Sequence, residues 1–510
     1  MEFLKNITPR KYQKEITKTC LKKNCLVVLP TGLGKTLIAL MTAIERIKEY
    51  PLKKVVFLAP TKPLAEQHQE YFKKNLGELF GAMELFTGAI KSENRKKIWR
   101  TADIIFSTPQ CIANDVKKRL YDLSEVSLLI QDEAHRCVKN YDYNFIAQKY
   151  VEQGEDTRLI GLTASPGSDG KKIKEIMKNL SIKEVELRTR ESEDVKEYLQ
   201  ELEFEKVEVE LPKEFIKIKK ILQELSLEYT EWLRKTNFLF GPDTKINLIN
   251  LQKKLSFQIN KNYSSPSSFS AVSKVSQAIK ISHASDLLET QTLEGFFKYL
   301  KNILNQAEKK QSKGVVQLTS KQEFNLCYAK TYELLNKGEE HPKIQEIIKI
   351  IRNEKLINPN LKTMIFTQFR DTATVVTRNL NKLKNINCEV FVGQAKKGDT
   401  GLSQKEQKEI ITKFKEKEIN TLCATSIAEE GLDIPEVDLV IFYEPISSAI
   451  RSIQRRGRTA RMSKGKLIIL ITKNTKDQFA YYASISREKK MKNEIEKIKK
   501  EMNSPQKKLK

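Results

Sequence analysis

The chain has 510 residues, more than one hydrophobic core usually serves, so two to four domains of about 100 to 200 residues each are expected. Lys and Arg (91) outnumber Asp and Glu (65), a formal charge of +26 that favours a polyanionic partner such as nucleic acid, although solvated helix faces can carry the same surplus. Seven cysteines without CxxC pairing and four dispersed histidines exclude zinc and iron–sulfur spacing, and the absence of a long apolar run excludes a membrane span; reduced thiols in a cytoplasmic protein are expected.

In chain order, short apolar runs alternate with helical patterns from Asn24 to Arg188. CLVVLP, KVVFLAP, DIIFSTP, LLIQDEAH and RLIGLTASP each read as a buried strand ending in a polar loop, the pattern of a parallel α/β sheet. Such sheets bind ligands at the carboxyl ends of their strands. From Glu191 to Gln345 the texture changes to long amphipathic helical patterns, EFIKIKKILQELSLEYTEWLRK and SDLLETQTLEGFFKYLKNIL, separated by a Ser-rich break from Asn262 to Ser270. A second strand set starts near Lys362: KTMIFTQF, CEVFVGQ, INTLCATS, DLVIFYEP and GKLIILIT. The expected division is a first lobe (1–190), an inserted helical domain (191–345), a second lobe (346–486) and a basic tail (487–510) that begins as a charged helix and frays.

After CLVVLP comes Thr31-Gly32-Leu33-Gly34-Lys35-Thr36, followed by the helical run LIALMTAIERI. Glycines let backbone N–H groups wrap the β- and γ-phosphates of a nucleotide, and the helix N-terminus adds positive potential. Lys35 can bridge phosphates, and the Thr36 hydroxyl can ligate magnesium. Asp132-Glu133-Ala134-His135 follows the apolar run SLLI and Gln131. A carboxylate at the end of a buried strand suits magnesium, which assigns Asp132 to the metal, and Glu133 to orienting and deprotonating the attacking water. The cofactors read from these strings are ATP and Mg2+.

The order Gln13, TGLGKT, APTKPLAEQH (59–68), STPQ (107–110), DEAH, TAS (163–165), FTQF (366–369), ATSIAEEGLDIP (424–435) and QRRGRTAR (454–461) resembles the full motif set of superfamily 2 helicases. Leu29, where a general phosphate loop has its first glycine or alanine, matches the PTGxGKT variant of that superfamily. The resemblance implies a fold of class α/β, with two RecA-like parallel lobes and an all-helical domain inserted between them. It also implies that Gln13 reads the adenine edge, that Thr163 and Ser165 couple hydrolysis to lobe movement, and that His135 sits between ATP and that segment. Thr61, Thr108, Gln110, Thr367 and Thr425 fall where the superfamily meets the sugar-phosphate backbone, a contact that ignores base sequence. Gly431 and Asp433 match a ribose contact. Arg458 and Arg461 match arginine fingers, and Arg455 a bridge toward DEAH. Charge developing on the γ-phosphoryl group needs cations delivered on closure, and one finger contributes about 10³ to 10⁵ in rate.

The string VGQAKKGDTGLSQKEQ (392–407), the long insertion, and AIKISHASDLLETQTLEGFFKYL (278–300) within it resemble the Hef/FANCM group of these helicases. That likeness implies an ATP-dependent DNA helicase or translocase acting on branched or forked DNA, such as stalled forks and Holliday junctions, in repair and fork restart. The insertion would grip the duplex, with Lys217, Lys219, Lys220, Lys253, Lys254 and Lys280 compatible with phosphate contact, and the protein would be nucleoid-associated. The alternative is a duplex-RNA-stimulated ATPase of the RIG-I/Dicer kind, which shares motifs and insertion. No ERKxxxD nuclease string occurs, so cutting would need a partner nuclease, and Gln506 to Lys510 (QKKLK) offers only the start of a sliding-clamp box.

Overall fold

The computed structural model describes residues 3–5, 7–77, 81–198, 202–261, 266–393, 401–425, 435, 437–446 and 465–503. Its first sheet contains β1 (Cys25–Val28), β2 (Lys54–Leu58), β3 (Met83–Phe86), β4 (Ile104–Ser107), β5 (Val126–Gln131), β6 (Leu159–Thr163) and β7 (Glu184–Leu187). All pairings are parallel, in the spatial order β3-β4-β2-β5-β6-β1-β7. The central strands are buried along their whole length, and mostly apolar apart from residues such as Lys54, Ser127 and Gln131, because helices cover both faces. Successive residues point to opposite sides: Leu26 and Val28 join one core with Ile146 and Ile176, while Cys25 and Val27 join another with Ile38 and Leu40.

The second sheet contains β8 (Leu202–Val209), β9 (Thr363–Phe366), β10 (Cys388–Phe391), β11 (Thr421–Ala424), β12 (Leu439–Phe442) and β13 (Gly465–Thr472), again all parallel, in the order β10-β11-β9-β12-β13-β8. Every run expected to be a strand is one. Three further strands, β3, β7 and β8, lie at sheet edges, where charged residues interrupt the apolar signal. Of these, β8 falls inside the span expected to be helical. It pairs with β13 over its whole length, so the chain touches the second sheet before the helical insertion starts.

Six helices then follow (Lys213–Lys235, Lys245–Asn260, Pro266–Thr290, Leu293–Glu308, Lys313–Thr319, Gln322–Asn336), packed around a core of their own that includes Leu222, Tyr229, Leu288, Phe296 and Phe324. This domain is bolted to the second lobe. Thr372 Oγ1 donates to Gln291 Oε1 (2.8 Å), Gln291 Nε2 donates to Glu444 (3.4 Å), and Lys298 pairs with Asp371. Lys219 pairs with Glu289 at 3.0 Å and donates to the Asn474 carbonyl of the second lobe (3.5 Å), and Lys280 donates to Gln306 at 3.0 Å while burial pushes its pKa down, so these two lysines are engaged within the protein; Lys220, Lys253 and Lys254 are exposed.

The last helix, Lys476–Asn503, covers the described part of the span from 487 expected to begin as a charged helix; residues 504–510 lie outside the described residues. Its N-terminal Asp477 is buried against Lys343 of the helix Pro342–Ile357, which packs on the second sheet. Farther along, Met491, Ile495 and Ile498 enter the core of the first lobe, with ion pairs Lys492–Glu191 (2.9 Å) and Lys174–Glu501 (2.8 Å) alongside. The spacing i, i+4, i+7 is a single apolar stripe hidden in lysine-rich sequence. Among the described residues all seven cysteines are buried and free, and no helix is long and apolar enough to cross a membrane.

Candidate nucleotide and nucleic-acid site

Because every strand of the first sheet runs the same way, the loops after β1, β2, β4, β5 and β6 share one edge. They carry, in turn, the phosphate-loop string, Thr61, Thr108, DEAH and TAS. In the phosphate loop Gly32 (φ +85°) and Gly34 (φ +81°) take the left-handed conformation that side chains resist, and the helix Lys35–Glu49 starts at once behind them. Lys35 Nζ donates to the Leu29 carbonyl (2.9 Å). Leu33 is buried, and its carbonyl accepts from Tyr12 Oη (2.8 Å) and Gln13 Nε2 (3.1 Å). Gln13 is thus packed directly on the loop: a Cβ added at Gly34 would lie 2.3 Å from its Nε2.

At the end of β5, Asp132 and Glu133 are both buried. Burial alone would raise the Asp132 pKa, but a hydrogen bond from His68 and the positive field of Lys35 hold it below the ordinary aspartate range. Its backbone is fixed as well, since the N–H donates to Leu58 O (2.9 Å) and Tyr143 Oη donates to its carbonyl (2.8 Å). Glu133 has φ +51°, a left-handed backbone that costs a non-glycine residue energy and is held by its surroundings. Its Oε2 lies 3.1 Å from His135 Nδ1, which is in turn 3.3 Å from Thr163 Oγ1. Thr163 Oγ1 donates to Ser165 O (3.0 Å), and Ser165 Oγ donates to Met491 Sδ of the last helix (2.8 Å). The carboxylate, the histidine, the TAS segment and the last helix therefore form one continuous chain of contacts.

Oxygen donors suit a hard divalent cation, and the Thr36 hydroxyl and Asp132 carboxylate are brought to the same imidazole, His68. The Thr31 hydroxyl oxygen is buried with no hydrogen-bond partner among the described residues, as an atom awaiting a phosphate oxygen or its water would be. The residues present thus fit magnesium and a nucleotide triphosphate.

Thr61 and Gln110 are exposed at the starts of helices Lys62–Asn75 and Pro109–Lys117, and Thr108 is half-buried beside them. Thr367 and Thr425, after β9 and β11, are buried, and the Thr367 hydroxyl donates to Phe369 O (3.1 Å). Gly431, Asp433, Arg455, Arg458 and Arg461 lie outside the described residues, as does Gln506 to Lys510. Sequence reasoning passed over His68, Tyr12, Tyr143 and Met491. Each acts through a tertiary contact 11 to 326 positions away, and only Tyr12, beside Gln13 in RKYQ, and His68, inside APTKPLAEQH, stood within noted strings.

Residues 10–176 match the DEAD/DEAH box helicase family and residues 342–463 the helicase conserved C-terminal domain. The fold resembles the crystal structure of the Pyrococcus furiosus Hef helicase domain, with TM-score 0.74 and 40% identity, covering 94% of this chain and 100% of that one. A putative ATP-dependent RNA helicase of Methanocaldococcus jannaschii is 38% identical over 96% of this chain and 61% of its own length. A putative ATP-dependent DNA helicase of Schizosaccharomyces pombe is 32% identical (92% and 61%), and the Fanconi anemia group M protein homolog of Mus musculus 30% identical (93% and 25%). The chain spans less than two thirds of these curated relatives. It belongs to the superfamily 2 helicases and, within them, to the Hef/FANCM group.

Proposed function

We propose that this chain is an ATP- and magnesium-dependent DNA helicase or translocase that remodels branched DNA in repair and fork restart. The observation that carries the reading is the convergence, on one sheet edge, of the phosphate loop, the Asp132–Glu133 pair and the TAS segment, with a chain of contacts leading from Glu133 to the helix that joins the lobes. Thr36 and Asp132 would hold magnesium, which when bound neutralises charge on the β- and γ-phosphates. Lys35 binds phosphate, Glu133 takes the proton of the attacking water, and Gln13 meets the adenine. Gly431 and Asp433 would contact the ribose. Arg458 and Arg461 would supply positive charge on lobe closure, and Arg455 would bridge to DEAH. Thr61, Thr108, Gln110, Thr367 and Thr425 would contact the nucleic-acid backbone.

Domain limits at 190, 345 and 486, nucleoid association, a partner nuclease and a clamp contact through Gln506 to Lys510 belong to the same proposal. DNA rather than RNA is favoured by relatives named as ATP-dependent DNA helicases in fission yeast and filamentous fungi, against the Methanocaldococcus jannaschii relative named as a putative RNA helicase. ATPase stimulation and strand separation are to be measured on forks, four-way junctions, plain duplex DNA and duplex RNA. Forks and junctions should stimulate most; stronger stimulation by duplex RNA would overturn the substrate assignment.

A further inference from the structure

Thr36 follows β1 and Asp132 follows β5, and these strands are separated in the sheet by β6. Among the described residues no hydrogen bond joins the two side chains directly. A third element does: His68, on the helix Lys62–Asn75 that leaves β2, is buried with Nε2 2.9 Å from Asp132 Oδ2 and Nδ1 3.5 Å from Thr36 Oγ1. Its ring packs on Phe57 of β2, centroids 4.3 Å apart, which fixes the plane in which both nitrogens point.

The chemistry of the partners determines which nitrogen carries the proton. With the imidazole neutral, an ionised carboxylate, which only accepts, takes the Nε2 proton, and Nδ1 keeps a lone pair toward the Thr36 hydroxyl 3.5 Å away. That arrangement has a consequence for both oxygens. Asp132 Oδ2 is held, leaving Oδ1 to face a cation or its water, and the Thr36 oxygen keeps its lone pairs because its proton is directed away. Partners of this kind behind a metal's own ligands orient them, and their loss weakens metal binding by roughly 10- to 100-fold.

We propose that His68 is the positioning residue that presents the Thr36 hydroxyl and the Asp132 carboxylate together as a divalent-cation site. The proposal rests on the reading of Thr36 and Asp132 as the metal-holding pair, and the experiment separates the two. Mn2+, visible by electron paramagnetic resonance, serves as the probe, titrated into the full chain with ADP for the wild type, His68→Phe, His68→Gln and Asp132→Ala. Phe keeps a ring on Phe57 but loses both polar atoms, whereas the Gln amide retains a donor and an acceptor. Far-UV circular dichroism and melting confirm that each variant is folded.

His68→Phe should weaken Mn2+ binding about 10- to 100-fold and raise the Mg2+ concentration needed for half-maximal ATPase rate, while metal-free ADP affinity stays within about 2-fold; His68→Gln should recover most of the loss. Wild-type Mn2+ affinity in His68→Phe together with lost affinity in Asp132→Ala would overturn the positioning role alone. Unchanged affinity in both would overturn the metal-pair reading and the proposal with it. Equal losses in His68→Phe and His68→Gln would also overturn it, because they would show that the ring's packing, and not its two nitrogens, is what matters.

Discussion

Lys343→Met tests how the three parts of the molecule are held together. Lys343 Nζ is 2.5 Å from Asp477 of the last helix and 3.1 Å from the Thr290 carbonyl of the insertion, and it sits 4.8 Å from the Tyr443 ring centroid. The two charged side chains are 0% and 4% exposed, so no water compensates either one. Burial raises the Asp477 pKa, and the pairing with Lys343, together with the Thr472 N–H that donates to its Oδ2, works against that rise. Methionine has nearly the length of the lysine stem and fills the space, but it leaves Asp477 without its counter-charge, at a cost of about 3 to 5 kcal/mol. At about 2 to 4 °C per kcal/mol for domains of this size, the melting transition should fall by about 6 to 20 °C. The double variant Lys343→Met/Asp477→Leu carries no buried charge and should regain most of the loss. Thermal melts of the wild type, both single variants and the double variant complete the cycle. A drop below about 1 kcal/mol for Lys343→Met, or a double variant whose loss equals the sum of the singles, would refute the claim that the pair acts as one buried unit.

Glu133→Gln keeps the left-handed backbone and the shape of the side chain but removes the base, so ATP should still bind while hydrolysis falls by at least about 10²-fold; equilibrium binding of a fluorescent nucleotide and phosphate release measure the two separately, and normal turnover would sink the general-base assignment. His341 is fully buried, and burial first, then Lys343, pushes its pKa down to about 3 against an opposing hydrogen bond to the Glu289 carbonyl. The unfolded chain takes up this proton near pH 6.5, so the stability is present above that pH and is lost as pH falls toward 3, by on the order of 2 kcal/mol at pH 5. Denaturant titrations of the wild type and His341→Gln between pH 4 and 8 should converge as pH falls, and parallel curves would contradict the assignment.

Much of the fold can be read in the sequence because buried parallel strands advertise themselves: CLVV is apolar at every position and TMIF at every position after Thr363, and the polar loops behind them hold the chemistry. Edge strands lack that signal. LEFEKVEV mixes charge with apolar residues because its sheet has a neighbour on one side only, and its membership depends on β13, more than 250 positions away. The lysine-rich end of the chain is opaque for a different reason. Its three buried residues, Met491, Ile495 and Ile498, are diluted by the charges around them, and only the first lobe gives them a partner. In the site, motif order identified the phosphate loop and the acidic pair, whereas His68 is a residue whose role exists only where three chain segments meet.

The last helix has 28 residues, and at about 1.5 Å per residue it is a strut of roughly 40 Å. One end is pinned by Asp477 to the second lobe, and the other by Met491, Ile495 and Ile498 to the first. A strut pinned at both ends makes separation of the lobes along its length costly, because that would pull apolar side chains into water, yet it permits swivelling about its axis. Swivelling about that axis is the lobe movement this pinning resists least. The Met491 contact with Ser165 places that strut against the TAS segment, whose Thr163 meets His135 and, through it, Glu133.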